Sequence, residues 1–237
     1  MFLSFKVSGD LMSQRVSHSL LDPYLTVPVK QQYHRLPIPK RLPPEAIVLT
    51  GHLLAIVGSV GLAFSTTTWW GGLLAAAGII GNHLADVLDG THARSTGQCR
   101  NGGELLDHFL DPLSFAYWLV GIAVACGRLD LGLMAVIGLF ATAVLTNIKA
   151  KLTGEFTLSS FGPTEFKTLL AIFGLVLASC VMNGVSMVLM GATLFYSTLI
   201  AIGIVQLIVG VFRAVHEVNQ QGLPADNTEW VTTRNAA

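Results

Sequence analysis

The chain has 237 residues, of which 52% are apolar and only 12% are charged. Its 14 basic and 14 acidic side chains cancel to a formal net charge of zero, which by itself indicates nothing about partners. Because long tracts contain no charged residue, the composition argues against a soluble globular protein and predicts an all-α membrane protein.

Residues 1–45 are polar and contain six prolines, so they are predicted to form an arm that leads to the membrane. Apolar residues alternate irregularly with polar ones between positions 2 and 12. This pattern is consistent with an interfacial segment that lies along the bilayer surface. A soluble helix or a disordered arm explains the same pattern equally well.

Six apolar segments follow the arm, and each can reach across, or nearly across, a hydrocarbon layer that needs about 20 helical residues. They are Ala46–Phe64, Gly71–Ala85, Pro112–Cys126, Leu131–Ile148, Thr168–Met182 and Val185–Phe212. The second and third reach this length only if their acidic ends, Asp86–Asp89 and Asp107–Asp111, are helical, and we count them so. We therefore predict a six-helix domain at residues 46–213 and a polar tail at 214–237.

Lysine and arginine residues fall almost entirely on one side of this six-span arrangement. With the N-terminus inside, the basic residues of the arm, both inner loops and the tail lie in the cytoplasm, and only Arg128 lies outside. Short loops rich in lysine and arginine stay on the cytoplasmic side of membrane proteins. We therefore expect cytoplasmic termini and a polar cavity that faces the cytoplasm between the acidic ends of the second and third spans.

Four aspartates occupy those acidic ends at helical spacings. Asp86 and Asp89 are three residues apart, and Asp107 and Asp111 are four apart, so each pair projects from one face of its helix. If residues 91–102 reverse the chain, the four carboxylates converge. We call Asp86, Asp89, Asp107 and Asp111 the aspartate quartet.

A quartet of bare carboxylates at depth in a bilayer would cost on the order of 10 kcal/mol, so a compensating group is required. Neighbouring anions either take up protons or bind cations. Oxygen-only ligands favour Mg²⁺ or Mn²⁺, and four acids are enough to hold two such ions. The quartet is therefore predicted to be a site for two divalent metal ions, which together would hold a phosphate.

Small residues and one arginine beside the quartet favour a phosphate-bearing ligand. Gly90, Ala93 and Gly103 would let the backbone come close to a ligand, and Arg94 offers a planar fork for phosphate oxygens. We expect these four residues, with Asp107, to contact the phosphates. Membrane carboxylates also line cation pathways, so a cation-coupled transporter and a metal-binding scaffold without turnover remain alternatives.

The pattern Asp86-x-x-Asp89-Gly90-x-x-Ala93-Arg94, eight further residues, and then Gly103-x-x-x-Asp107-x-x-x-Asp111 resembles the signature of the CDP-alcohol phosphotransferase family at every fixed position. This resemblance implies a divalent-metal-dependent transferase of phospholipid synthesis with a six-helix membrane fold. Such an enzyme breaks the pyrophosphate of a CDP-linked substrate, releases CMP and transfers the phosphoalcohol to a hydroxyl.

The same resemblance implies that the aspartate quartet binds two metal ions and that Asp111 acts as the base. It also implies a homodimer among membrane lipids, with an alcohol or lipid acceptor and no nucleic-acid partner. Residues 103–114 and 162–165 resemble the choline and ethanolamine phosphotransferase branch. A departure is Glu45, which stands where many members carry Asn, so no nucleotide contact is carried over to the first span.

Two assignments of the CDP-linked substrate stay open. Either a CDP-linked head group donates to diacylglycerol, or CDP-diacylglycerol donates to a small alcohol. Glu165 could pair with a cationic head group or be a solvated charge at a helix start. Lys149, Lys151 and Lys167 could attract an anionic acceptor or lipid, although the membrane topology already accounts for them.

Overall fold

The computed structural model describes residues 14–158, 161–224 and 227. Within these residues the chain forms seven α-helices, one 3-10 turn and one pair of short strands. In chain order these are β1 Gln14–Ser17, α1 Thr26–Gln32, the 3-10 turn Tyr33–Arg35, α2 Pro44–Phe64, α3 Trp69–Thr96, α4 Asn101–Cys126, α5 Leu129–Thr153, β2 Glu155–Leu158, α6 Pro163–Met182 and α7 Val188–Gln221. The predicted membrane-surface stretch at 2–12 lies outside the described residues.

Six of the helices, α2 to α7, are long and apolar enough to cross a membrane, which confirms the predicted helical class and number of spans. The acidic ends of the second and third spans are helical, since α3 continues through Thr96 and α4 begins at Asn101. The last helix continues through Gln221, beyond position 213 where we placed the end of the bundle.

The reversal between α3 and α4 is shorter than the predicted stretch 91–102. It consists of residues 97–100, and it begins at Gly97, whose φ of +71° lies in the left-handed region that glycine adopts without steric cost. Both pairs of aspartates therefore project from continuous helices rather than from a loop. We call the end of the bundle that carries this reversal the acidic end.

Close contacts between glycines hold α3 against α2. A Cβ atom added to Gly61 would lie 2.8 Å from the carbonyl oxygen of Gly71, and one added to Gly78 would lie 2.6 Å from that of Leu54. Small residues permit this close approach of backbones between membrane helices. Helix α3 also packs against α6, and α4 packs against α2.

Aromatic side chains fix α4 and α7 in the bundle. The fully buried Trp118 of α4 donates its Nε1 hydrogen to the carbonyl oxygen of Ala55 at 3.0 Å. Tyr196 of α7, also fully buried, donates its hydroxyl hydrogen to the carbonyl oxygen of Leu119 at 2.8 Å. A buried polar group needs such a partner, and each bond joins two helices.

The arm is tied to the bundle by a strand pair that the sequence pattern did not predict. Strand β1 pairs in parallel with β2, with Gln14 opposite Glu155 and Ser17 opposite Leu158. Strand β2 lies in the chain between α5 and α6, so this pairing holds the arm at the point where the bundle passes from one helix to the next.

Candidate active site

Three carboxylates of the aspartate quartet come together at the acidic end. Asp86 and Asp89 from α3 and Asp107 from α4 each offer an oxygen, and these oxygens all lie within 4.8 Å of one another. Asp89 is buried, whereas Asp86 and Asp107 are half-buried, so the group is open on one side. The helix spacing explains part of this geometry, because residues three apart on α3 share one face, and the Asp107 side chain of α4 reaches the carboxylates on that face.

Asp111, the fourth member of the quartet, lies one helical turn further along α4 and lines the same pocket. Its Oδ1 lies 3.6 Å from the Nζ atom of Lys167, which comes from α6. The same Nζ donates to Oδ2 of Asp86 at 2.7 Å. An ammonium group from a third helix therefore lies between carboxylates of α3 and α4.

The donor set fits a hard divalent cation. Oxygens bound to one Mg²⁺ at about 2.1 Å lie up to roughly 4.2 Å apart, so small side-chain movements would bring the three carboxylates onto a shared ion. The buried Asn82 lines the same pocket, and its Oδ1 has no hydrogen-bond partner among the described residues. The Asn82 amide nitrogen donates to the carbonyl oxygen of Gly51 at 3.1 Å, which orients the side chain.

Three neutral polar side chains line the pocket further from the acidic end. They are those of Asn82, His52 and Ser114. Asn82 precedes Asp86 by one helical turn, and Ser114 follows Asp111 by one turn. Nδ1 of His52 and Oγ of Ser114 lie 3.1 Å apart. Polar groups at depth in a bilayer are costly, and their placement there commonly marks a substrate path.

Arg94 and Gly90 are in contact on α3. A Cβ atom added to Gly90 would lie 3.3 Å from each terminal nitrogen of Arg94, so the guanidinium folds back over the glycine. The backbone nitrogen of Gly90 donates to Oδ1 of Asp89. The absence of a side chain at Gly90 thus provides the space in which the Arg94 fork lies.

Ala93 and Gly103 take part in the local structure around the reversal. The carbonyl oxygen of Ala93 accepts a hydrogen bond from the Gly97 nitrogen, which ends α3. A Cβ atom at Gly103 would lie 3.8 Å from Oε1 of Glu45, so this glycine faces the start of α2. The expected contacts of both residues with phosphate stay a prediction.

Glu165 anchors the arm to α6. Its Oε1 accepts hydrogen bonds from Ser19 Oγ at 2.6 Å and from the Leu21 nitrogen at 3.0 Å. Its Oε2 accepts one from the nitrogen of Gly162 at 2.9 Å. Both carboxylate oxygens of this buried residue have partners within the chain, which argues against the hypothesis that Glu165 binds a cationic head group.

Asp22 makes a second attachment between the arm and α6. Its Oδ1 accepts from the hydroxyl of Thr164 at 2.6 Å, and its Oδ2 accepts from that of Ser17 at 2.8 Å. Burial raises the pKa of this carboxyl. Hydrogen bonds from Thr164, Ser17 and Thr26 and the charge of Lys30 lower the pKa, and together they outweigh the effect of burial. The pKa of Asp22 is therefore below its ordinary value, and the carboxylate stays ionised.

His92 attaches the arm to α3. The buried ring has Nδ1 2.8 Å from the hydroxyl of Tyr33 and Nε2 2.9 Å from the carbonyl oxygen of Leu42. Because a carbonyl only accepts, Nε2 donates and Nδ1 accepts from Tyr33. Both nitrogens are used in holding the arm.

Four polar side chains in the pocket region were absent from the predicted site, namely those of His52, Asn82, Ser114 and Lys167. Asn82 lies four residues before Asp86 on the same helical face, and this spacing could have indicated it. Lys167 was grouped with the basic residues of the inner side. Lys167 lies beside carboxylates of α3 and α4, and both helices are far from it in the sequence. Tertiary packing decides this position, and no local pattern indicates it.

The family model described as CDP-alcohol phosphatidyltransferase matches residues 43–199. Cholinephosphotransferase 1 of Mus musculus is 34% identical over 94 residues, which cover 37% of this chain and 24% of the relative. Archaetidylinositol phosphate synthase of Methanothermobacter thermautotrophicus is 41% identical over 81 residues, 34% of this chain and 39% of the relative. Its namesake in Pyrococcus horikoshii is 29% identical over 146 residues, 61% of this chain and 74% of the relative. The match spans about a quarter of the length of the mouse protein.

Proposed function

The chain belongs to the CDP-alcohol phosphatidyltransferase family, and on this premise we propose that it is a membrane enzyme which cleaves a CDP-linked substrate, releases CMP and transfers the phosphoalcohol to a hydroxyl. One observation carries the proposal above the others. The carboxylates of Asp86, Asp89 and Asp107 converge at one end of a bundle that is otherwise apolar, with Asp111 in the same pocket.

Asp86, Asp89 and Asp107 would hold a divalent ion, Mg²⁺ or Mn²⁺, and Asp111 would join them for a second ion. When bound, the ions would neutralise the negative charge of the substrate pyrophosphate. Arg94 would donate two parallel hydrogen bonds to phosphate oxygens, a geometry that the planar guanidinium favours. The position of the guanidinium over Gly90 supports this role, because Gly90 directly follows Asp89 and the fork therefore lies near the proposed metal site.

Asp111 is proposed to be the base. Its carboxylate would accept the proton of the acceptor hydroxyl as the hydroxyl oxygen attacks phosphorus in line. The new phosphorus–oxygen bond forms as the bond to the CMP oxygen breaks, and the proton stays on Asp111. The place of Asp111 outside the group of three carboxylates supports this role, because a base must be less committed to metal than its neighbours.

Two arrangements of substrate use the same residues. A CDP-linked head group could donate to diacylglycerol, or CDP-diacylglycerol could donate to a small alcohol. The names of the relatives divide in the same way, since one is a cholinephosphotransferase and the other an archaetidylinositol phosphate synthase. Residues 103–114 and 162–165 favour the first arrangement.

A cation-coupled transporter is a weaker candidate. A cation path needs carboxylates spread through the membrane, whereas here they gather at one end of the bundle. The Lys167 ammonium between two of them would repel a passing cation, and Arg94 would have no function in such a path.

The transferase proposal is tested by CMP release from the purified full chain. CDP-choline, CDP-ethanolamine and CDP-diacylglycerol are each supplied with diacylglycerol or a mixture of small alcohols, in Mn²⁺, in Mg²⁺ and in EDTA. We expect CMP from one donor class and no release in EDTA. A folded protein that binds Mn²⁺ and yet releases no CMP from any donor would contradict the proposal.

A further inference from the structure

Lys167 is among the most deeply buried side chains of the described residues, with an exposed fraction of 2%. Its Nζ lies 2.7 Å from Asp86 Oδ2 and 3.6 Å from Asp111 Oδ1. The same atom lies 5.5 Å from the centre of the Phe115 ring. A buried ammonium is stable only with such compensating partners, and here both carboxylates belong to the aspartate quartet.

We propose that Lys167 is a built-in counter-ion of the aspartate quartet. It positions Asp86 and Asp111 before divalent ions bind, and it limits how tightly those ions bind afterwards. This inference rests on the proposed function only in taking the quartet as the metal site.

The first step of the argument is that Asp86 has two competing uses. One of its oxygens belongs to the group of three carboxylates that fits a divalent ion, and its Oδ2 accepts from Lys167. A divalent ion at this group would stand close to the ammonium, and like charges repel strongly where water is scarce. Metal binding must therefore displace Lys167 or work against its charge.

The second step is that the quartet needs a cation when no metal is bound. Four neighbouring carboxylates repel one another, and their mutual repulsion would push α3 and α4 apart. Lys167 joins a carboxylate of each helix to α6. Loss of the Lys167 charge should therefore lower the stability of the metal-free protein more than that of the metal-bound protein.

A general role in membrane topology does not explain this position. Lysines that mark the inner side of a membrane extend their ammonium groups into water. Lys151 of α5 is exposed in this way, and Lys149 pairs with Glu217. The ammonium of Lys167 instead turns into the protein.

The test compares Lys167→Met, Lys167→Arg and the control Lys151→Met as purified full chains stripped with EDTA. Methionine keeps most of the volume beside Phe115 and removes the charge, whereas arginine keeps the charge. The Mn²⁺ dissociation constant and the melting temperature with and without Mn²⁺ are measured, and neither readout needs turnover.

We expect Lys167→Met to bind Mn²⁺ roughly tenfold more tightly than the wild type, because the competing charge is gone. Its melting temperature should fall in EDTA and recover in Mn²⁺. Lys167→Arg and Lys151→Met should stay close to the wild type in both measurements. A purely structural lysine would not give tighter metal binding when it is removed.

Unchanged or weaker Mn²⁺ binding by Lys167→Met would overturn the inference. If this variant is recovered folded only when Mn²⁺ is present during extraction, the counter-ion role is supported; if it is unfolded even with Mn²⁺, the role is contradicted. If the wild type releases CMP but Lys167→Met binds Mn²⁺ with unchanged affinity, only the counter-ion role is refuted. If the wild type releases no CMP but Lys167→Met binds Mn²⁺ more tightly as expected, only the transferase proposal is refuted.

Discussion

At the scale of single residues, the four aspartates have different surroundings although their spacings in the sequence look alike. Oxygens of Asp86, Asp89 and Asp107 lie within 4.8 Å of one another, whereas Asp111 lies outside this group, one turn after Asp107 on α4. Three carboxylates this close are suited to hold a cation, and a fourth in the same pocket but outside the group is suited to accept a proton. This division is the basis for the proposed role of Asp111.

Replacing Asp111 by Asn should abolish transfer, with CMP release falling at least about a hundredfold, because an amide cannot accept the hydroxyl proton. Binding of the CDP-linked substrate should survive in part, since the other three aspartates and Arg94 are unchanged. Initial rates of CMP release and equilibrium binding of the substrate check the two halves of this prediction. Wild-type turnover by the variant would remove Asp111 from the role of base.

Replacing Gly90 by Val should displace the Arg94 guanidinium, because even a Cβ at this position would lie 3.3 Å from both terminal nitrogens. The arginine end is flexible, so we expect a folded protein whose KM for the CDP-linked substrate rises about tenfold through the lost bidentate contact. Gly138→Val is the matched control, since a Cβ on this helical glycine meets nothing within 4 Å. An unchanged KM in Gly90→Val would argue against phosphate binding by Arg94.

At the scale of elements, the arm is a structural part of the acidic end. It pairs with β2, bonds to the first turn of α6 through Glu165 and Asp22, and bonds to α3 through His92. The segment that it holds on α6 includes Lys167, two residues after Glu165. The arm therefore supports the helix that brings the ammonium to the aspartate quartet.

Replacing Glu165 by Ala should loosen the arm, because the bonds from Ser19 and Leu21 lose their acceptor. Bonds to a charged group contribute about 1.5–3 kcal/mol each, so the arm should detach more often even though the bonds of Asp22 and His92 remain. Faster tryptic cleavage after Lys30 and Arg35 is the expected result. Asp130→Ala, which removes an exposed ion pair with Arg128, is the control and should leave the cleavage rate unchanged.

At the scale of the whole molecule, the bundle has two unlike faces. Helices α2, α3, α4 and α6 surround the buried core, whereas much of the apolar surface of α5 and α7 is exposed. In a membrane, lipid or a second copy of the chain would cover these side chains, and the homodimer implied by the family resemblance stays a prediction. The distribution of basic residues supports a cytoplasmic acidic end.

Cys99 offers a direct test of this orientation, because it is exposed in the reversal at the acidic end. With Cys126 and Cys180 replaced by Ala, a membrane-impermeant maleimide should label Cys99 in inside-out vesicles and not in right-side-out vesicles. Arg128→Cys in a cysteine-free chain marks the opposite end of the bundle and should give the reverse pattern. Labelling of Cys99 in right-side-out vesicles would mean that the bundle is inverted.

The sequence by itself determined the six spans, the helical character of the acidic ends and the faces that carry the aspartate pairs. These features depend on the thickness of a bilayer and on the period of a helix, both of which a short stretch of chain expresses. The same local regularity would have indicated Asn82, since it continues the face of Asp86 by one turn.

Only the tertiary structure decided which charges meet around the aspartate quartet and what the arm does. Lys167 is separated from Asp86 by 81 residues, and Ser19 from Glu165 by 146. Contacts at such separations depend on how α3 packs against α6 and on how the arm lies against α6, and no local pattern in the sequence expresses either. From the local sequence Lys167 is one of the positive charges on the inner side of the membrane. In the folded chain it is the partner of two aspartates.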